Sequence, residues 1–242
     1  MCCMECEAVA FLTVMSETDF YQAVIERLFK GSVIAYPYSR IICDEYEELI
    51  DKIISPAPSV LNPSFIQVSG IPGAGKSTFC ARYYAKHLLV QFDSIMAWIP
   101  SYQADCDRLG LVQSFSKWEM PARVIGYEVI RRLIAKKASF VLEHSGLNPA
   151  HLKLVDVLKD QGYETQMQFL FCDFEEACRR AKEREKKINR HTPVELIKQR
   201  YDLVLEYLEY YKLLIDDLNV WDLSDVNNWL LKECWQKGRR TK

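Results

Sequence analysis

Ser64-Phe-Ile-Gln-Val-Ser-Gly70-Ile-Pro-Gly-Ala-Gly-Lys76-Ser-Thr-Phe79 joins a short apolar run to a glycine-rich turn. Residues 65–68 are mostly apolar and partly β-branched, as a buried strand requires. Residues 70–77 satisfy G-x-x-x-x-G-K-[ST] at every required position. Gly70, Gly73 and Gly75 let the backbone curl so that its N–H groups point inward at a polyphosphate, at φ values that a side chain disfavours. A helix expected over 77–86 adds its positive N-terminal end. The Lys76 ammonium can reach the β- and γ-phosphates, and the Ser77 hydroxyl can ligate Mg²⁺. Gly70, Ile71, Pro72, Gly73, Ala74, Gly75, Lys76, Ser77 and Thr78 therefore form a candidate nucleoside-triphosphate loop, with Ser77 as the metal ligand.

Working outward, apolar runs at 65–68, 88–92, 140–142, 165–171 and 220–223 alternate with amphipathic stretches at 77–86, 121–137, 149–161, 175–187 and 193–216. That alternation is the pattern of βαβ units. It predicts an α/β fold: a doubly wound, mainly parallel five-stranded sheet of P-loop type whose ligands gather at the carboxyl ends of the strands. Ahead of it, 19–29 and 44–54 show helical periodicity, and the proline-rich stretch 55–63 ends the second helix. The expected organisation is an N-terminal helical segment over 1–60 and a P-loop domain over 61–242, with a lid at about 175–193.

The formal net charge of −2 lacks the basic excess of a protein whose main partner is a long nucleic acid, and so favours a small substrate. The nine cysteines are odd in number and irregularly spaced, in a chain too long to need staples, which points to a reducing compartment. Cys3 and Cys6 form a C-x-x-C with no second pair at zinc spacing. The apolar stretch 8–15 is preceded by Glu5 and Glu7, where a secretory signal carries positive charge, and no run is long enough for a membrane span. The expectation is a soluble protein working in a cytoplasm, with export as an effector left open.

Function should sit just past each strand. Asp93 follows the second strand; its carboxylate can take a proton from an attacking hydroxyl, hold the metal's waters, or simply cap a helix. Glu143 ends the third strand within Phe140-Val-Leu-Glu-His-Ser145-Gly146, near metal or substrate, or as an acid beside a turn; Ser145 can donate to a substrate oxygen. His144 and His151 read as packing or surface residues. After the fourth strand comes a basic helix with Arg179, Arg180, Lys182, Arg184, Lys186 and Lys187, followed by Arg190. Arg180 and Arg184 share a helix face. The helix reads either as a solvated charged surface or as a lid whose cations close over the γ-phosphate. Tyr201, Leu205, Leu208, Lys212 and Ile215 read as core packing, and Tyr207, Tyr210 and Tyr211 as at most a contact surface.

In order and spacing these motifs resemble the zeta toxin family of P-loop kinases, the toxin halves of bacterial toxin–antitoxin pairs, and their zeta-like relatives. The resemblance spans about 65–217. It rests on the loop, on Asp93 followed by Ile99-Pro-Ser-Tyr102, on Val141-Leu-Glu-His-Ser-Gly146, on Leu158-Lys-Asp-Gln-Gly-Tyr-Glu-Thr165, and on the basic segment ending Arg190-His-Thr-Pro193. It implies transfer of the γ-phosphate of ATP, with Mg²⁺, to a sugar hydroxyl, and specifically to UDP-N-acetylglucosamine. On matching positions it implies Asp93 as general base, Lys76 as phosphate lysine, Glu143 and Ser145 as substrate-holding residues, and Arg184 and Arg190 as lid arginines. It also raises an antitoxin-like protein partner. Arg184 and Arg190 stand only six residues apart, closer than in the toxins, and Ser145 stands where threonine is usual. Two other readings stay open: a P-loop kinase for a nucleoside, a metabolite or a polynucleotide 5′ end, and a nucleotide-binding switch without turnover.

Overall fold

The computed structural model describes residues 46–188 and 192–242. The expected helix at 19–29, the Cys3/Cys6 pair and Arg190 lie outside the described residues. The strands are β1 (Ser64–Ser69), β2 (Leu89–Gln91), β3 (Phe140–Glu143), β4 (Glu164–Phe171), β5 (Asp217–Asp222), β6 (Leu230–Gln236) and β7 (Arg239–Arg240). The helices are α1 (Glu47–Ile54), α2 (Lys76–Tyr83), α3 (Phe92–Trp98), α4 (Pro100–Leu109), α5 (Leu111–Ala135), α6 (Pro149–Asp160), α7 (Phe174–Ile188) and α8 (Val194–Leu214).

The chain divides into two compact units. The first, Ala57–Gln91 with Lys136–Lys242, holds the entire sheet, ordered β2-β3-β1-β4-β5-β6-β7. The five expected strands are the parallel ones, and β6 and β7 extend the sheet antiparallel to seven. Central β1 is buried along 65–69, which explains why Phe65, Ile66 and Val68 run on without polar alternation. From β1 the chain moves out to β2, steps back to β3, then crosses to β4 on the other side. Strand order reverses at β1, where ligands gather in such sheets and where the glycine-rich loop emerges. The β6–β7 pair escapes sequence reading because Leu230, Lys232 and Gln236 are exposed while Glu233 and Cys234 are half-buried, which blurs the period-two signal. A tight turn with positive φ at Lys237 and Gly238 joins the two strands.

The second unit contains α1, α3, α4 and α5, from the described residues up to Pro56 and from Phe92–Ala135. Buried Asp105 on α4 accepts from Lys117 (2.6 Å), Trp118 Nε1 (2.8 Å) and Arg108 (2.7 Å). These donors, Lys117 first, hold its carboxyl well below the ordinary carboxylate range. The clamp explains one departure from expectation. α5 was expected to start at Pro121, a favoured first-turn residue, but starts at Leu111 with Pro121 inside it. Lys117 and Trp118 are tied to Asp105, so tertiary contacts carry the helix past the proline. Arg132 on α5 reaches both Glu47 carboxylate oxygens on α1 and also bonds Glu128.

Candidate functional site

The loop between β1 and α2 folds on its own carbonyls. Lys76 Nζ donates to Gly70 O and Ile71 O, each at 3.0 Å, and Ala74 N donates to Ile71 O at 3.2 Å. Ile71 and Ala74 are buried, Pro72 is half-buried, and Ser77 and Thr78 are exposed. Gly75 is the N-cap of α2, so the N–H groups of that helix's first turn face the loop. Phe79, one turn on, is buried against Trp221 (5.5 Å between centroids) and Trp229 (5.9 Å), which pins α2. Burial pushes the neighbouring Cys80 thiol up to about 12, so it is an inert core residue.

Gly73 has φ 86, and a Cβ there would be driven into the carbonyl oxygen of Ala177 on α7. Gly73→Ala is therefore expected to lower stability by about 2–4 kcal/mol, from left-handed strain plus the clash. Scanning calorimetry of Gly162→Ala separates the two effects. Gly162 has φ 79 with nothing within 4 Å, so its substitution should cost only the strain, about 1 kcal/mol. Equal costs at the two positions would refute the close approach of α7 to the loop.

The end of β3 meets the loop. Glu143 pairs in register with Val68 and with Gln91. Its Oε1 accepts from the Ser77 hydroxyl at 2.7 Å, and its Oε2 accepts from the Gln91 amide. Ser77 and Glu143, each chosen from sequence, thus form one cluster of hard oxygens beside the glycine-rich loop. Gln91 was missed; its place depends on the β2–β3 register, which no local motif encodes. Asp93 is exposed in the first turn of α3, two residues past Gln91.

Ser145 follows Glu143 in a turn held from several sides. Its carbonyl accepts from Ser69 Oγ, and Gly146 N donates to His144 Nδ1 at 3.1 Å. His144 and His151 stack with centroids 3.9 Å apart and planes 1° from parallel, His151 fully buried, which makes them packing residues. Asn148 caps α6 by accepting from His151 N.

The basic helix α7 has two faces. Arg179 points to solvent and pairs with Glu176 and Glu183. Arg180 turns inward and donates to Glu176 Oε1 (2.6 Å), Leu223 O (2.7 Å) and Ser224 O (3.1 Å). Its Nη1 lies 3.8 Å from where a Cβ on Gly75 would be, so Arg180 is beside the glycine-rich loop. Arg184, half-buried on the same face, donates to Thr192 Oγ1 at 2.8 Å. Arg180 was visible in the sequence only as Arg184's face-mate.

On α8 the expected core stripe holds at Leu208 and Ile215 but not at Leu205. Leu205 is 70 % exposed, whereas Tyr211 is fully buried and Tyr207 nearly so; of the three tyrosines only Tyr210 is exposed. The helix is rotated so that Val204, Tyr207, Leu208 and Tyr211 face inward. Tyrosine buries readily where its hydroxyl finds an acceptor, and Tyr211 OH donates to Gly146 O at 2.6 Å.

A mostly parallel sheet whose order reverses at a glycine-rich loop, with an acid at the end of β3 and a basic helix after β4, defines a fold of the P-loop kinase type. The zeta toxin family model matches residues 47–228, and the chain belongs to the zeta toxin family. Among solved structures, that of the PezAT chromosomal toxin–antitoxin system of Streptococcus pneumoniae is similar at a TM-score of 0.55 and 15 % identity, over 87 % of this chain and 79 % of that one. AvrRxo1-ORF1:-ORF2 with ATP is similar at a TM-score of 0.64 and 11 % identity, over 85 % of this chain and 70 % of that one. At these identities the likeness is one of fold. No curated protein sequence matches the chain significantly. No helix among the described residues is long and apolar enough to cross a membrane.

Proposed function

We propose that this protein is a kinase that transfers the γ-phosphate of Mg·ATP to a hydroxyl of a nucleotide sugar of the UDP-N-acetylglucosamine class. The observation that carries the reading is the 2.7 Å contact between Ser77 of the phosphate loop and Glu143 at the end of β3. It joins a phosphate-holding element to an acid that can address an acceptor.

In this reading the backbone N–H groups of 70–78 and the Lys76 ammonium hold the β- and γ-phosphates. The Ser77 hydroxyl, beside the Glu143 carboxylate, suits a hard cation that takes few protein ligands. Mg²⁺, when bound, supplies neutralising charge between the phosphates. Glu143 and Ser145 hold the acceptor by its hydroxyl groups. Asp93, at the carboxyl end of β2, takes the proton as the acceptor oxygen forms its bond to the γ-phosphorus. The bond from that phosphorus to the bridging oxygen breaks, and ADP leaves with the electron pair. Arg184 and Arg190 supply the lid's positive charge, and the position of Arg180 beside Gly75 makes it a third cation for the triphosphate. The pneumococcal toxin–antitoxin relative supports an antitoxin-like protein partner for this chain as well.

The test follows ADP formation from Mg·ATP with UDP-N-acetylglucosamine, with other nucleotide sugars and with no acceptor, and weighs each acceptor by mass spectrometry. The expected result is a single added phosphate on UDP-N-acetylglucosamine, abolished by EDTA. ADP release with that sugar unmodified would move the acceptor to another class. Nucleotide binding without turnover on any acceptor would leave a nucleotide switch.

A further inference from the structure

Each oxygen of the Glu143 carboxylate accepts a hydrogen bond from a different element. Oε1 accepts from the Ser77 hydroxyl on α2 at 2.7 Å, and Oε2 from the Gln91 amide on β2. The sheet register puts the second donor there independently of the bond itself. Gln91 pairs with Glu143 across β2 and β3, and residues paired across neighbouring strands project from the same side of the sheet. Each is the last residue of its strand and half-buried, whereas Val90 and Leu142, one residue back, are buried.

A glutamate side chain is long and loses much rotamer freedom when it is fixed. A donor on one oxygen restrains the carboxylate at a single point; a second donor on the other oxygen fixes its plane. An ionised carboxylate offers about four acceptor sites, so one bond to each oxygen leaves capacity for hydroxyl groups brought to it. The donor from β2 is also neutral. A lysine or arginine at position 91 would hold Glu143 as firmly, but would offset the negative charge that strengthens a bond from a hydroxyl. Glutamine orients the carboxylate without neutralising it.

We infer that Gln91 is a positioning residue: by donating to Glu143 Oε2 from β2, it fixes the plane in which Glu143 meets the hydroxyl groups of the acceptor. The inference rests on the reading of Glu143 as an acceptor-holding residue. It gives β2, a strand of 3 residues whose other members are Leu89 and Val90, a task in acceptor recognition. That task is distinct from holding the nucleotide, which falls to 70–78.

Gln91→Met keeps the length of the side chain and removes the amide donor. The lost bond is to a charged group, so KM for UDP-N-acetylglucosamine, varied at saturating Mg·ATP, should rise about ten-fold. KM for Mg·ATP should stay within about two-fold of the wild type. In a Glu143→Ala background the same substitution should change kcat/KM for the sugar by less than about two-fold, because the group it acts through is gone. A second readout needs no turnover. In ¹H–¹⁵N spectra the Gln91 side-chain amide, assigned by its loss in Gln91→Met, should show one proton well downfield of an ordinary glutamine. Glu143→Ala should return that proton to the ordinary position. Equal rises in both KM values, the mark of a general structural role, would overturn the inference. So would effects of the two substitutions that simply multiply, or a Gln91 amide that ignores Glu143→Ala. If the wild type leaves UDP-N-acetylglucosamine unmodified, the acceptor reading fails alone, and the amide signal still upholds or overturns Gln91 as the residue that holds Glu143.

Discussion

Lys76→Ala is expected to cut Mg·ATP-dependent phosphate transfer by about 10³-fold or more, roughly 4 kcal/mol of transition-state stabilisation. Lys76 is the cation held inside the loop, bonded to Gly70 O and Ile71 O at 3.0 Å each. In the proposed reading a β- or γ-phosphate oxygen takes over those bonds, and the charge counts most as the transferring group moves away from ADP. The folded state gives up two hydrogen bonds to backbone carbonyls that nearby water can replace. The melting temperature should therefore move by no more than a few degrees. A coupled ADP assay beside a thermal melt separates these outcomes. An alanine variant with full activity would mean that the phosphates bind elsewhere.

The second large effect is expected at Asp93. Asp93→Asn keeps the side chain's size and its place in the first turn of α3, and removes only the capacity to take a proton. If Asp93 is the base, kcat should fall about 10²–10⁴-fold while nucleotide affinity stays within a factor of about two. A fluorescent ATP analogue measures the affinity, and single-turnover transfer measures the chemical step. Loss of nucleotide affinity in place of kcat would reassign Asp93 to holding the metal's waters. Unchanged kcat would leave it as a helix-capping acid.

What could be read from sequence follows the range of the interactions involved. The glycine-rich turn between β1 and α2 was legible because its glycines, Lys76 and Ser77 lie within eight consecutive residues. Each has a local reason to be there. β1 and β3 were legible because burial on both faces leaves them nearly all apolar, Gln67 being the one polar residue within 65–68. The grip on Glu143 was not, since Gln91 reaches it only through the pairing of Gln91 with Glu143 across β2 and β3. α8 shows why periodicity alone misleads. The stripe through Leu205 and Lys212 has the right spacing for a core face, yet the helix buries Val204 and Tyr211. The deciding interaction is a hydroxyl bonded to a carbonyl 65 residues away. Arg180 makes the same point, because Leu223 and Ser224 turn it inward. Its neighbour Arg179, of identical chemistry, stays in solvent with Glu176 and Glu183.

The walls of the phosphate loop also set an order of events during synthesis. Gly70 is backed by Leu170, Gly73 by Ala177 and Gly75 by Leu223 and Arg180, and β1 itself is flanked by β3 and β4. The loop is made early in the chain, but the elements that back it, from β3 to Leu223, are made about 70 to 150 residues later. Such distant pairings are slow to close. A ribosome-bound fragment ending before α7 carries the whole glycine-rich motif but lacks the Ala177, Arg180 and Leu223 walls at Gly73 and Gly75. The glycine-rich loop thus takes its final shape only after most of the chain has emerged.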